Sequence, residues 1–412
     1  MHHVPLLLKF EFYVFPSFNA DDKPKFNYAA CDYPKLDRLL DELNWESLLS
    51  CPDVAKCIAT FKSVISDFCF KFIPIIRKRP YKEPWYNRDL KKLKNLRNKF
   101  YNKFKASGSQ FFFEKYQVHL KKFNCLNKFL YRNYILGIES NIKEDPKSFW
   151  HFIKSKKNNS SIPSAVFFED KCASTPAEVA NLFAAFFSSN FVDDNPTVDS
   201  SFSASVSSTN FGSLRLSSDD IANGILNLSA SAKQDIDGLS SNFIKKCPAL
   251  ISPLKIIFSR SLASGIFYDE LKLTSITPIL KSGGKSDVCN YRPISKHSII
   301  SKLFEVIVKE KIYFATKSLV SPNQHGFVLN RSTVTNLGVF SEYCIAAISN
   351  GFQVDCIYTD LAKAFHRVSH SLLVSKLASV GFHSVFLQWL KSYLFIWLFF
   401  GIFHCLIGGS SR

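Results

Sequence analysis

Two groups of residues stand where phosphate chemistry would need them. Asp360 follows residues 353–359, a short segment that is mostly apolar or β-branched, and precedes a helix start at Ser369 or His370. That pattern predicts a buried strand ending in an acid, and a carboxylate at a strand end faces solvent, where it can hold a divalent cation. Taken alone, such an acid is as readily a cap or turn residue. The second group is cationic. Residues 274–295 read TSITPILKSGGKSDVCNYRPIS, an apolar strand running into Lys281, then a polar loop and Arg292. A triphosphate bears about four negative charges; Arg offers its oxygens a planar fork and Lys a point charge. On spacing alone, Gly283-Gly284 is equally a plain hairpin turn with both cations solvated.

A third feature is charge density. Residues 71–132 hold 18 Lys or Arg against three acids (Glu83, Asp89, Glu114), a net of +15 within a chain total of +18. A polyanion is the natural partner, unless the segment is merely a solvated basic helix pair. Lys91, Lys92, Lys94, Arg97 and Lys99 form the candidate nucleic-acid patch, and Trp85, Phe100, Tyr101 and Phe104 are available to stack on unpaired bases.

The elements that must position these groups follow from periodicity. Leu36, Leu39, Leu40 and Leu43, then Val54, Ile58, Phe61, Val64, Ile65 and Phe68, recur at three and four, predicting two amphipathic helices. After Pro80 and Pro84, Asn87 or Asp89 can cap a helix; Ser107-Gly108-Ser109 breaks it, and residues 110–140 resume it, giving a basic helical hairpin. Thr175 caps a helix over 176–187, residues 197–213 read as a Ser-rich linker, and Ser217 or Ser218 opens a compact α+β region. At 412 residues and 46% hydrophobic, the chain can bury a real core and is too apolar for a disordered one. The 11 cysteines include no C-x-x-C pair, so neither a disulfide-linked partner nor a zinc site is expected. The start lacks a basic n-region, and the apolar run 394–407 is 14 residues, short of the roughly 20 that span hydrocarbon, so no membrane association is expected. An intracellular protein follows, nuclear or cytoplasmic; Arg77-Lys78-Arg79 could serve nuclear import.

Four segments resemble, in order, those of LINE-type (non-LTR, Jockey-like) retrotransposon reverse transcriptases: KQDIDGLSSNFIKK at 233–246, the stretch 274–295 ending NYRPIS, SPNQHGFVLNRSTVTNL at 321–337, and GFQVDCIYTDLAKAFHRVSHSLLVSKL at 351–377. The resemblance covers residues 216–394. It implies an RNA-directed DNA polymerase taking dNTPs, an RNA template and a DNA primer or target, with two Mg²⁺ ions in the complete enzyme. By position, Asp360 becomes the catalytic metal ligand and Phe365 the residue under the nucleotide sugar, which screens against a 2′-hydroxyl. Lys281 and Arg292 become triphosphate contacts, and Gln324, Gly326, Phe327 and Arg331 lie beside the template. The basic helices resemble the linker that precedes the polymerase in such elements, and His2-His3-Val4-Pro5-Leu6 resembles the end of an endonuclease motif, with His3 as its catalytic His.

The sequence also departs from that pattern. Two-metal phosphoryl transfer uses three carboxylates, and Asp360 is one; the Ala-Asp-Asp hairpin and the Gln-Gly-x-x-x-Gly-Ser loop that precedes it do not follow, and no acid occurs after Leu394. His366 replaces the usual Asp of Ala-Phe-Asp. The expectation is an α+β, incomplete right-hand polymerase, with fingers and a partial palm, preceded by a mostly helical basic region. It would be a fragment without activity as written. The segments expected are an endonuclease remnant (1–20), a helical basic linker (21–160), an extension with the Ser-rich linker (161–215), the polymerase segment (216–394) and a non-matching apolar tail (395–412). The alternatives are a non-catalytic nucleic-acid-binding protein using residues 71–132, or a chain too incomplete to be stable.

Overall fold

The computed structural model describes residues 24–76, 83–156, 162–163, 165–190, 213–360 and 368–395. His3 and residues 1–20, Arg77-Lys78-Arg79, most of the Ser-rich linker, Phe365, His366 and the tail beyond Phe395 lie outside the described residues. The chain divides into two compact units, one built from residues 24–76 and 162–395 and the other from residues 83–156.

In the first unit, α1 (Tyr33–Asp41), α2 (Trp45–Leu48) and α3 (Val54–Phe72) start at Asp32, Asn44 and Asp53, whose side chains accept from backbone N–H groups of the opening turn. Their apolar faces bury Leu36, Leu40, Trp45, Ile58, Phe61 and Ile65. The second unit is a hairpin of α4 (Arg88–Ser107) and α5 (Gln110–Ser140), followed by α6 (Pro146–Lys156). Asn87 caps α4, its side chain accepting from the Leu90 amide at 2.8 Å, and Gly108 at φ +65° ends it in the left-handed conformation that costs glycine little.

The first unit continues through a small antiparallel hairpin, β1 (Val166–Phe168) and β2 (Lys171–Ala173), into α7 (Pro176–Ser188), which opens on a capping box between Thr175 and Glu178. Then come α8 (Ser218–Asn227), capped by Ser217, α9 (Ser241–Lys246), α10 (Ile251–Ser264) and α11 (Asp269–Lys272). A second hairpin pairs β3 (Thr274–Leu280) with β4 (Tyr291–His297), and α12 (Ile299–Thr316), α13 (Thr333–Ser349), α14 (His370–Val380) and α15 (Ser384–Phe395) complete the described chain. The architecture is thus α+β, helix-rich, with two two-stranded antiparallel sheets among the described residues.

Helices α1 to α3 share one core with residues 216–394, although the sequence grouped them with the basic helices. Phe258 stacks on Phe304 at 4.2 Å, and Trp389 meets both Phe304 and Phe267 edge to face at 5.3 Å. Polar ties join the two stretches. The Arg260 guanidinium donates to the carbonyls of Leu49 and Cys51, Lys62 Nζ pairs with Asp237 at 3.0 Å, and Tyr28 Oη donates to Gly238 O at 2.7 Å. Each tie lies beside apolar packing that excludes water, where a hydrogen bond is worth more than at the surface.

A second cluster packs α7 and β1 under the other end of β3–β4: Val166, Phe183 and Phe187 surround Val288 and Tyr291. One expectation fails here. Residues 353–359 are not a buried strand; they have no regular structure and pair with no described strand, and Ile357 is 90% and Tyr358 86% accessible. A short apolar and β-branched run prepares a strand, but only a hydrogen-bonding neighbour completes and buries one. Helix α13 buries no side chain either, despite its apolar sequence.

Candidate functional site

The hairpin β3–β4 places two of the cations singled out by the sequence. Its register sets Ile279 opposite Arg292 and Leu280 opposite Tyr291, and the Lys281 amide extends the ladder to Asn290 O at 2.7 Å. Because strand side chains alternate, Tyr291 turns inward, its ring 5.0 Å from that of Phe183, and Arg292 turns out. Lys281, two residues beyond Ile279, shares that outer face, so the two exposed cations are diagonal neighbours across the pair.

The loop joining the strands is braced. Gly283 sits at φ +80°, and a Cβ there would lie 2.8 Å from the Asn290 side chain, whose Nδ2 donates to Gly284 O at 3.0 Å. Only glycine fits both the backbone and the neighbour. Tyr291 Oη donates to Lys285 O at 2.7 Å, the Asp287 carboxylate accepts from the Cys289 amide at 2.8 Å, and the Phe167 amide donates to Ser286 O at 2.7 Å. Residues 162–190 therefore act as a buttress for the cation-bearing hairpin.

Residues 321–332 form a self-supporting loop. Gln324 Nε2 donates to Gly326 O at 2.9 Å, and Arg331 Nη1 donates to Gln324 O at 2.6 Å and to Pro322 O. Arg331 is thus a loop brace, with part of its guanidinium already engaged. The left-handed residues here are Phe327 and Asn330, at φ +61° and +62°, while a Cβ on Gly326 would meet Gln324 Nε2 at an ordinary 3.6 Å. Phe327 is 92% exposed.

Asp360 is exposed at the end of the extended segment. Among the described residues no three His, Cys, Asp or Glu side chains converge as metal ligands, so they do not by themselves assemble a two-ion magnesium site. The ten cysteines among the described residues are free, and no described helix is long and apolar enough to cross a membrane.

The basic hairpin spends its aromatic rings internally. Phe100 stacks on His119 at 5.1 Å, Phe104 packs on Phe113 at 4.9 Å, and Trp85 is held by Tyr131 and by a hydrogen bond from its Nε1 to Asn127 at 3.0 Å. Of the four rings expected to stack on bases, Tyr101 keeps the most open face, 46% exposed. Lys91, Lys92, Lys94 and Lys99 are exposed, though Lys92 pairs with Asp89 at 3.5 Å, the Lys94 ammonium lies over Tyr86 at 5.8 Å, and the Arg97 guanidinium over Phe123 at 4.9 Å.

A residue that motif reading leaves without a role is Asp235. Its carboxylate accepts from the amides of Asp237 at 2.9 Å and Leu239 at 2.8 Å through one oxygen, and from the Ile299 amide at 2.6 Å through the other. It ties the turn Asp235-Ile236-Asp237-Gly238 to the first turn of α12, directly after β4. Burial pushes its pKa up to about 6 against the opposing pull of the Ile299 amide, and nearby Asp237 raises it further. An Asp two residues before Asp-Gly signals the turn in sequence; its second partner, 64 residues on, leaves no such signal.

Comparison with known proteins shows two likenesses. Residues 279–409 match the family described as reverse transcriptase (RNA-dependent DNA polymerase). The chain is also 27% identical, over 180 residues, to a probable RNA-directed DNA polymerase from transposon BS of Drosophila melanogaster; the match takes in 43% of this chain and 20% of that relative's length. The matched stretch takes in Lys281, Arg292, the loop braced by Arg331, and Asp360. Residues 279–409 are thus similar to reverse transcriptases, and the chain is similar to part of a transposon RNA-directed DNA polymerase.

Proposed function

We propose that the C-terminal half of this chain is the fingers and part of the palm of a LINE-type RNA-directed DNA polymerase, working on an RNA template and a DNA primer with dNTP substrates. The shared outer face of Lys281 and Arg292, inside the matched segment, supports this reading most directly. In it the two cations hold the incoming triphosphate, and charge-assisted contacts of this kind are the strong ones. Gln324, Gly326, Phe327 and Arg331 line the template, Phe365 lies under the sugar, and Asp360 ligates Mg²⁺. His3 is read as the remnant of an endonuclease motif. The domain boundaries stay as the sequence suggests, except that residues 24–76 belong with the polymerase segment because they share its core.

Asp360 supplies one carboxylate where two-metal transfer uses three. A polypeptide of these 412 residues is therefore expected to bind nucleotide and nucleic acid without extending a primer. Oligo(dT) annealed to poly(A), with dTTP and Mg²⁺, provides the test. Retention of the primer–template with no added nucleotides is the expected result, and appreciable incorporation would overturn the inactive reading. A second reading, non-catalytic nucleic-acid binding by the basic hairpin, is favoured by the +15 charge of residues 71–132.

A further inference from the structure

Helix α5 has two apolar faces, and α4 covers one of them. Tyr116, His119, Phe123 and Tyr134 lie on the covered side, where the first two meet Tyr101 and Phe100 and Arg97 lies over Phe123. The large apolar side chains of α5 left exposed are Phe111, Val118, Phe129 and Leu136, 58, 47, 59 and 53% accessible. At about 100° per residue these four project within roughly 20° of one another, about 150° from the seam with α4.

Filling the intervening positions gives Phe111, Lys115, Val118, Lys122, Cys125, Phe129, Arg132 and Leu136, unbroken steps of four and three, every one exposed. Alternating threes and fours mark the seam along which one helix lies against another. The run is about 38 Å long at 1.5 Å per residue, ample for a helical partner.

Charge and ring placement choose the occupant. The stripe carries three cations and no acid, with Glu114 only at its edge. An antiparallel second copy centred on the stripe would set Lys115 against Arg132 twice, so self-pairing is opposed. A nucleic-acid strand would find two rings, Phe111 and Phe129, about 27 Å apart, and between them Val118 and Cys125, which present no π-face to a base. We propose that this outer face of α5 docks an amphipathic helix of another protein, with apolar residues at heptad spacing and Asp or Glu opposite Lys115, Lys122 and Arg132.

The test uses the full chain and a synthetic helical peptide, with Leu facing the apolar positions, Glu facing the three cations, and a central activated disulfide. Anisotropy should report micromolar binding that a scrambled peptide of equal composition lacks. Val118→Ser with Leu136→Ser, which changes no charge and leaves the α4 seam intact, should weaken it about tenfold. The peptide should form its mixed disulfide with Cys125 rather than with exposed Cys172, Cys289 or Cys356. Equal binding of the scrambled peptide, or crosslinking away from Cys125, overturns the proposal. So does a 20-nucleotide RNA or an anionic vesicle whose affinity falls as far in the double variant, since the face would then belong to that ligand.

Discussion

Replacing Asp235 by Asn tests whether one carboxylate fastens the turn before α9 to the start of α12. The folded-state pKa is pushed up to about 6 by burial, against about 3.9 for a free Asp. A raised acid contributes its full stability below the unfolded value, near pH 4, and loses it as pH rises through the folded value near 6. Two units correspond to about 3 kcal/mol; the side chain is only half-buried, so solvent screening reduces this to about 2 kcal/mol. Asn keeps an oxygen for the Asp237 and Leu239 amides but turns an NH₂ toward the Ile299 amide, leaving that donor unpaired at a cost of about 1–3 kcal/mol. Urea unfolding between pH 4.5 and 7.5 should therefore show the variant less stable than the parent by roughly 1–3 kcal/mol at the acid end, with the gap closing by about 2 kcal/mol toward neutrality. Carboxylates held low elsewhere, such as Asp220 beside Lys311, cancel in the difference between the two proteins. A difference that stays constant across the range would refute the assignment.

Other outcomes follow from particular contacts. Gly283→Ala, which forces a side chain into the left-handed region and against Asn290, should lower stability by about 1–3 kcal/mol in a thermal melt; an unchanged melt contradicts the bracing of the loop. Gly224→Val meets Ile307 Cγ1 and Leu303 Cδ1, which would lie 2.7 and 2.9 Å from a Cβ, so α8 should be pushed from α12 at about 1–3 kcal/mol. Lys91→Ala, Lys94→Ala and Lys99→Ala together should reduce the slope of log affinity against log salt for single-stranded RNA by roughly 2. An unaltered slope would remove these lysines from the interface.

Much of the helical framework was readable because caps and periodicity are local. Asn87, Thr175, Ser217 and Ser369 each cap the helix expected to follow, and Gly108 breaks α4 from α5 where the sequence demands a left-handed residue. The hairpin bearing Lys281 and Arg292 was equally plain, since both strands and the turn lie within 24 residues. Residues 353–359 misled for the opposite reason. Their short apolar and β-branched run satisfies the strand rule, but pairing is a property of two segments, and they pair with no described strand. The fusion of α1–α3 with a core some 200 residues away, and the Arg260 and Lys62 ties across it, leave no periodic trace. In the basic hairpin, composition revealed aromatic rings but not that most of them face one another.

The nucleotide assignment is tested most directly by photocrosslinking. The full chain, irradiated with 8-azido-dATP and Mg²⁺, should be labelled within the β3–β4 hairpin, competed by excess dATP, and lose most of that label on Lys281→Ala or Arg292→Ala with helicity unchanged. Labelling confined to the basic hairpin, or undiminished in both variants, would contradict it.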